Sequence, residues 1–199
     1  MTQRNPRREF FEDLAPRWDS MHGPEREAKL RVLIERFRKV WADARSILDL
    51  GTGTGALLPV IERAFPLVSL RAVDLAHAML IRAHSRNGVA GLANADARWL
   101  PFAPTSFDVV ICHATFPHFS DKPATLRELR RTLRPGGMLL ILHDSSREQV
   151  NAIHRRAGGA IASDILPRAA ETRALLAAAG YTEVTVEDTP EHYIATGLA

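Results

Sequence analysis

The chain reads as an α/β protein, a mostly parallel sheet between two layers of helix with an antiparallel hairpin at one edge. Three observations lead there. Strand-length apolar runs alternate with helix-length amphipathic segments from residue 46 to residue 142, the pattern of a parallel sheet covered on both faces. The run Phe107-Asp108-Val109-Val110-Ile111-Cys112 is apolar except for Asp108, as a strand buried on both faces requires. In the tail, two strand patterns are separated only by Asp188-Thr189-Pro190, and a connection that short makes an antiparallel pair.

The elements follow in order. Residues 9–22, with Phe10, Phe11, Leu14, Ala15 and Trp18, form a short amphipathic helix and a loop. A second helix is expected over about 24–40, with Pro24 near its start and Leu30, Leu33, Ile34 and Phe37 as its apolar stripe. The first strand is 46–50, and the helix after its glycine-rich turn covers 55–64, ending before Pro66. A second strand at 68–73 leads into a helix at 76–86, stopped by Asn87-Gly88. A short third strand fits 89–94. Pro101, Pro104, Thr105 and Ser106 then mark a turn before the fourth, 107–112. A helix at 122–133 precedes the turn Pro135-Gly136-Gly137 and a fifth strand, Met138 to Leu142. Ser146 can cap a further helix that places Arg147, Asn151 and His154 on one face. A helix at 168–179 ends at Gly180, and strands 181–187 and 191–197 close the sheet.

A length of 199 residues suits one domain, 1–199. Residues 1–40 read as a helical cover. The segment 144–167, with Gly158, Gly159 and Pro167 in a stretch that looks mobile, reads as a lid over an acceptor site. Hydrophobic residues at 46% and charged residues at 25% are ordinary for a soluble globular protein. One cysteine excludes an internal disulfide framework and a cysteine-rich zinc site. Neither a signal peptide nor an apolar run of bilayer-spanning length is visible, so a cytoplasmic location with no membrane partner is expected. The net charge of +3 is a thin surplus without a basic stripe interleaved with aromatics, which argues against a nucleic-acid partner. Apolar residues in 10–37 leave a homodimer open beside a monomer.

The most informative stretch is Ile47-Leu48-Asp49-Leu50-Gly51-Thr52-Gly53-Thr54-Gly55, a buried strand with an acid near its end and a glycine-rich turn directly after it. Asp74 and Asp96 stand at two further strand ends. Glycines let the backbone approach a ligand, and the acids accept hydrogen bonds from ribose and amino groups. Gly51-x-Gly53-x-x-Ala56 also fits a degenerate dinucleotide fingerprint. Against that reading stand Asp49, where dinucleotide strands are usually apolar, the tighter spacing made by Gly55, and the segment Asp96-Ala97-Arg98-Trp99-Leu100-Pro101-Phe102. With Ser106-Phe107-Asp108-Val109-Val110 and Leu133-Arg134-Pro135-Gly136-Gly137, these residues resemble the class I S-adenosylmethionine-dependent methyltransferases over nearly the whole chain from Phe10.

That resemblance implies a Rossmann-like, three-layer sandwich of seven strands in the order 3-2-1-4-5-7-6, and S-adenosyl-L-methionine as cofactor. It implies that Gly51, Thr52, Gly53 and Gly55 lie beneath the methionine and ribose, with Asp49 on the amino group directly or through water. It places Asp74 on the ribose hydroxyls, Leu75 on the adenine face, and Asp96 and the Ala97 amide at the adenine edge. Cys112 and His113 would line the wall near the methionine, and Trp18 would close over the cofactor.

The acceptor site is expected beyond the carboxyl ends of the strands. Five of the 8 histidines, His22, His113, His118, His143 and His154, can reach that region or its cover. Methyl transfer from a sulfonium asks the protein mainly to align the nucleophile and keep it deprotonated. His118 or His143 is therefore expected as base or orienting group, with Arg147, Asn151 and His154 on the acceptor and Tyr193 as a further wall residue. Spacings of 5, 25 and 11 between His113, His118, His143 and His154 match no local zinc motif, and no metal is assigned. No separate recognition domain is visible, and His113-Ala114-Thr115-Phe116 stands where many amino-group methyltransferases carry an Asn-Pro-Pro-Tyr type tetrapeptide. A small-molecule acceptor, methylated on O, S, N or C, follows. The alternatives are a cofactor-binding partner protein without activity, and a fold relative that transfers another group from the same cofactor.

Overall fold

The computed structural model describes residues 5–87 and 91–199. The expected helix stop at Gly88 and the first two residues of the expected third strand fall outside them. Seven strands, β1 (Ser46–Leu50), β2 (Ser69–Asp74), β3 (Leu92–Asn94), β4 (Phe107–His113), β5 (Leu133–His143), β6 (Thr182–Asp188) and β7 (Tyr193–Leu198), form one sheet in the order β3-β2-β1-β4-β5-β7-β6. The first five run parallel, and β7 lies antiparallel between β5 and β6. Fold class and strand order are thus as expected. Among the described residues, no helix is long and apolar enough to cross a membrane.

Alternation along the strands divides the core. Leu48, Leu50, Val110, Cys112, Leu139 and Ile141 face one layer, with Leu126 and Leu129 of α5 (Lys122–Thr132) and Leu176 of the C-terminal helix Ala169–Ala178. Ile47, Val109, Ile111, Leu140 and Leu142 face the other, with Leu30, Leu33 and Ile34 of α2 (Glu25–Glu35) and Leu58, Val60 and Ile61 of α3 (Leu58–Ala64). Each such side chain contributes about 1.5–3 kcal/mol on full burial. The chain's central strands are therefore its most firmly held part, and their carboxyl ends make a rigid platform.

The expected boundaries shift where local chemistry intervenes. Helix α1 (Pro6–Leu14) starts earlier than residue 9, because the Asn5 side chain accepts the Arg7 and Arg8 N–H groups and Pro6 occupies the first turn. Helix α2 stops at Glu35 rather than 40: tight turns follow, in which Phe37 stacks on the buried Trp41 at 4.8 Å. Helix α3 starts at Leu58 rather than 55, because the backbone at Gly51, Gly53 and Gly55 lies at positive φ. The fifth strand begins at Leu133: Pro135-Gly136-Gly137 is an irregularity within it, between the pairs Phe107↔Leu133 and Val109↔Met138. The remaining helices, α4 (His77–Asn87), α6 (Arg147–Ala157) and α7 (Ala169–Ala178), lie close to expectation, α6 opening on a capping box made by Ser146 and Gln149.

Candidate active site

A cavity of about 950 Å³ opens at the carboxyl ends of β1, β2 and β4, beneath α1. Its floor is the glycine turn. Gly51 and Thr52 both donate backbone N–H bonds to Val73 O, at 2.8 and 3.1 Å, which ties the turn to the end of β2. Gly51 at φ +70° and Gly53 at φ +56° adopt the left-handed conformation that disfavours side chains. A β-carbon on Gly53 would meet only Trp18 Nε1, at 3.8 Å. Gly53 therefore leaves bare backbone facing the cavity.

Asp74 ends β2 at the cavity wall. Its Oδ2 accepts the Gly53 N–H and its Oδ1 the Ala76 N–H, both at 2.8 Å. Burial pushes its carboxyl up to about 6 against those two bonds. Asp49 is buried behind Leu50–Gly53, and neither of its oxygens has a hydrogen-bond partner. Burial pushes it up to about 7, while the neighbouring Thr52 hydroxyl and the Arg26 charge pull the other way. Thr52 and Arg26 stand in the wall itself. A buried carboxyl without donors, next to a polar wall, calls for a donor or a cation from the cavity side.

Leu75, Asp96 and Ala97 line the same space. Asp96 is not bare: its oxygens accept Arg98 Nε at 3.0 Å and Nη2 at 2.8 Å, and Oδ1 also takes the Arg98 N–H at 2.9 Å. Burial acts to raise its pKa, but Arg98 outweighs it and keeps the carboxylate ionised. Trp18 lines the cavity with its ring against Phe11 and His22. His113, at the end of β4, also lines it, with Nε2 at 3.6 Å from Asp144 Oδ1 and its pKa held down by burial.

Several expected site residues lie elsewhere. Cys112 points into the core with Val110, because neighbouring strand residues face opposite sides, and only His113 reaches the wall. Gly55 serves the turn, donating to Thr52 O at 2.9 Å, and does not line the cavity. His143 is buried outside it against Tyr193, held to about 3 chiefly by burial, so it stays neutral. Tyr193 spends its hydroxyl on Thr172 Oγ1 at 2.6 Å. Arg147 turns away to Asp188 and Glu148. Asn151 grips the Leu166 backbone, donating to its O at 3.1 Å and accepting its N–H at 2.8 Å. His154 Nδ1 is bonded to Asp164 O at 2.7 Å. The polar face of α6 thus holds the 164–166 segment in place, and of His118, His143, Arg147, Asn151, His154 and Tyr193, His118 alone lines the cavity.

Other cavity residues carried no sequence signal. Arg7 and His118 both bond to Asp164, from 157 and 46 positions away respectively. Glu12 accepts the His77 and Ala78 N–H groups at the start of α4, at 2.7 Å each, and so seats α1 over the cavity. Among the described residues, no group of three or more His, Cys, Asp or Glu is arranged to hold a metal ion.

A sheet of this order, with a glycine turn, an acid at the end of β2 and a roomy cavity above, defines an α/β domain of the class I methyltransferase type. The comparisons agree. Residues 48–141 match the family model described as a methyltransferase domain. A malonyl-[acyl-carrier protein] O-methyltransferase of Geobacter sulfurreducens is 31% identical over 96% of this chain and 75% of that enzyme. A demethylmenaquinone methyltransferase of Thermus thermophilus is 33% identical over 67% of this chain and 63% of its own length. In structure, a SAM-dependent methyltransferase from Aquifex aeolicus superposes with a TM-score of 0.70 at 20% identity, covering 92% of this chain and 97% of that one. The chain belongs to the class I S-adenosylmethionine-dependent methyltransferases, and its cofactor is S-adenosylmethionine.

The residues present fit that group. The unsatisfied Asp49 oxygens and Thr52 hydroxyl suit the amino end, the bare backbone at Gly53 admits close contact, and Asp74 and Asp96 are acids on the wall for hydroxyl and amino donors.

Proposed function

We propose that this methyltransferase acts on a small-molecule nucleophile held in the same cavity as the cofactor, beside His118. One observation carries the reading: the cavity runs without interruption from Gly51, Asp74 and Asp96 to Phe11, His118 and Phe119. About 950 Å³ is at the upper end of what small-ligand sites enclose, and two ligands share it here. When bound, the cofactor supplies a methyl group on a sulfonium, a very good leaving group. The chain's own task is then to exclude water, align the acceptor and remove its proton. Asp49, Gly51, Thr52, Gly53, Asp74, Leu75, Asp96, Ala97 and Trp18 hold the cofactor, and His113 lies at the methionine end. Phe11 and Phe119 offer the acceptor an apolar seat, and His118 a base.

The lone buried Cys112 suits a reducing, cytoplasmic compartment. Calorimetric titration with S-adenosylmethionine and S-adenosylhomocysteine, with NAD as control, tests the cofactor half. Binding of the first two, lost in Asp74→Ala, is expected; NAD binding in their place would overturn it. A screen of phenols, enols, thiols and amines with methyl-labelled cofactor then tests the acceptor half. Label transfer to one class, lost in Phe119→Ala, supports it; label transfer only to protein or nucleic acid overturns it.

A further inference from the structure

Three residues distant in sequence meet at the cavity edge. The Asp164 side chain is 1% exposed and is gripped from two sides. Arg7 on α1 places Nε at 3.0 Å from both of its oxygens and Nη2 at 2.5 Å from Oδ1. His118 Nδ1 lies 2.8 Å from Oδ2. An ionised carboxylate only accepts, so the hydrogen in that bond belongs to Nδ1. In a neutral imidazole this leaves Nε2 as a bare acceptor, and Nε2 has no hydrogen-bond partner among the described residues.

The ring is well placed for chemistry. His118 closes a short 3₁₀ turn, Phe116–His118, and its N–H is bonded to Thr115 O at 2.9 Å. The Thr115 side chain in turn lies against Gly51 in the cofactor cradle. Phe11 packs edge-on to the imidazole at 4.9 Å and His154 lies at 4.7 Å, which fixes the ring plane.

We propose that Asp164 is a positioning residue that holds His118 in the Nδ1–H form with Nε2 as base, and that Arg7 makes this arrangement depend on α1 lying across the cavity. The inference rests on the methyl-transfer reading and narrows its substrate class. A base serves an acceptor that arrives protonated, which favours an O–H nucleophile such as a phenol or enol over a carboxylate, which is already ionised. The acceptor's O–H proton passes to Nε2 and its oxygen forms the bond to the methyl carbon. The electron pair of the broken carbon–sulfur bond stays on sulfur. The imidazolium then returns its proton to solvent.

The charged and titratable groups around the ring are Asp164, Arg7, His154, His143 and Lys122. Burial holds His118 below the ordinary histidine range, with Asp164 acting against it and His154 and Arg7 with it. The ring is accordingly neutral at pH 7.

Long-range ¹⁵N–¹H correlation spectra of the full chain, with His118 assigned through His118→Gln, read the tautomer without cofactor or acceptor. The expected wild-type result is a protonated Nδ1 and a bare Nε2 at pH 7. In Asp164→Asn, Arg7 retains the amide oxygen and the amide NH₂ faces His118, so the ring is expected to switch to the Nε2–H form, as Asn does beside a catalytic histidine. Asp164→Glu should restore the wild-type form. With an acceptor in hand, Asp164→Asn is expected to lower kcat about 100-fold while cofactor affinity holds. A wild-type ring protonated at Nε2, or an unchanged tautomer in folded Asp164→Asn, overturns the proposal, and the wild-type spectrum alone suffices if the variant does not fold. Failure of the cofactor titration would sink the methyl-transfer reading instead, so the two failures are separable.

Discussion

The side chain of Thr115 lies across Gly51: a β-carbon on that glycine would stand 2.3 Å from Thr115 Oγ1. Gly51 also sits at φ +70°, where an L-residue is strained by about 1–2 kcal/mol. The loop after β4 is thereby set directly on the glycine turn after β1, and any side chain on Gly51 must push them apart. Gly51→Ala is expected to fold and to weaken S-adenosylmethionine binding about 100-fold or more, given roughly 1.4 kcal/mol per decade. Adding Thr115→Ala should recover part of the loss, since it removes the collision and leaves the strain. Wild-type affinity in Gly51→Ala, measured by calorimetry, would refute the cradle.

Asp49 sets stability against binding. Its folded carboxyl is raised to about 7, well above its unfolded value, chiefly because it is buried, with the Thr52 hydroxyl and the Arg26 charge acting against the shift. A raised carboxyl is favourable to folding while protonated, so that contribution is intact below about pH 4 and is lost as pH climbs through 7. Asp74, at about 6, acts in the same direction. Asp49→Asn cannot ionise and is expected to melt higher than wild type at pH 8 and nearly level with it at pH 4. The same change should cost most of the cofactor affinity. In the wild type that affinity should rise with pH up to about 7, because the cofactor's ammonium favours the ionised acid. Thermal melts and calorimetry across that range check both; equal melting temperatures at pH 8 would show that Asp49 carries no buried charge.

The glycine turn and the strand-end acids that line the cavity were legible in sequence because they are local. The turn from Gly51 to Gly55 and the strand-end acids Asp74 and Asp96 each announce themselves within a few residues of a strand. The strand order followed from the family resemblance, and its antiparallel edge from the short connection Asp188-Thr189-Pro190. The acceptor half was not legible, because it is built by contacts between residues remote in sequence. Helical spacing put Arg147, Asn151 and His154 on one face correctly, yet spacing says nothing of what that face meets. It meets Asp188, the Leu166 backbone and the Asp164 carbonyl. Cys112 failed for a simpler reason: its strand neighbour His113 takes the cavity side, and the pleat sends Cys112 to the core.

Asn151 and Arg147 should therefore behave as structural residues. Truncating Asn151 to Ala strands the N–H and C=O of Leu166 in the interior, and each buried group left unsatisfied costs about 1–3 kcal/mol. The expected loss is about 2–5 kcal/mol by denaturant titration, with cofactor affinity unchanged once the protein is folded. Arg147→Ala, which breaks partly exposed ion pairs with Asp188 and Glu148, should cost about 1 kcal/mol or less. If Arg147→Ala instead abolished methyl transfer without changing stability, α6 would have to be returned to the acceptor site.

Helix α1 has no buried residue, so its hold on the cavity depends on a few contacts. Glu12 caps the first turn of α4 through His77 and Ala78, where a carboxylate also meets the positive end of the helix dipole. Arg7 fastens the other end to Asp164. Removing a helix cap costs about 0.5–2 kcal/mol, and here that cost falls on the docking of α1 rather than on the core. Glu12→Ala is expected to speed amide exchange over residues 6–14 by about 10-fold, at roughly 1.4 kcal/mol per decade. Exchange in β4 should not change. Cofactor release should accelerate in the same variant, because α1 lies over the space the cofactor must leave through. Exchange that rises uniformly through the sheet would mean that Glu12 supports the whole fold and that α1 does not open as a separate unit.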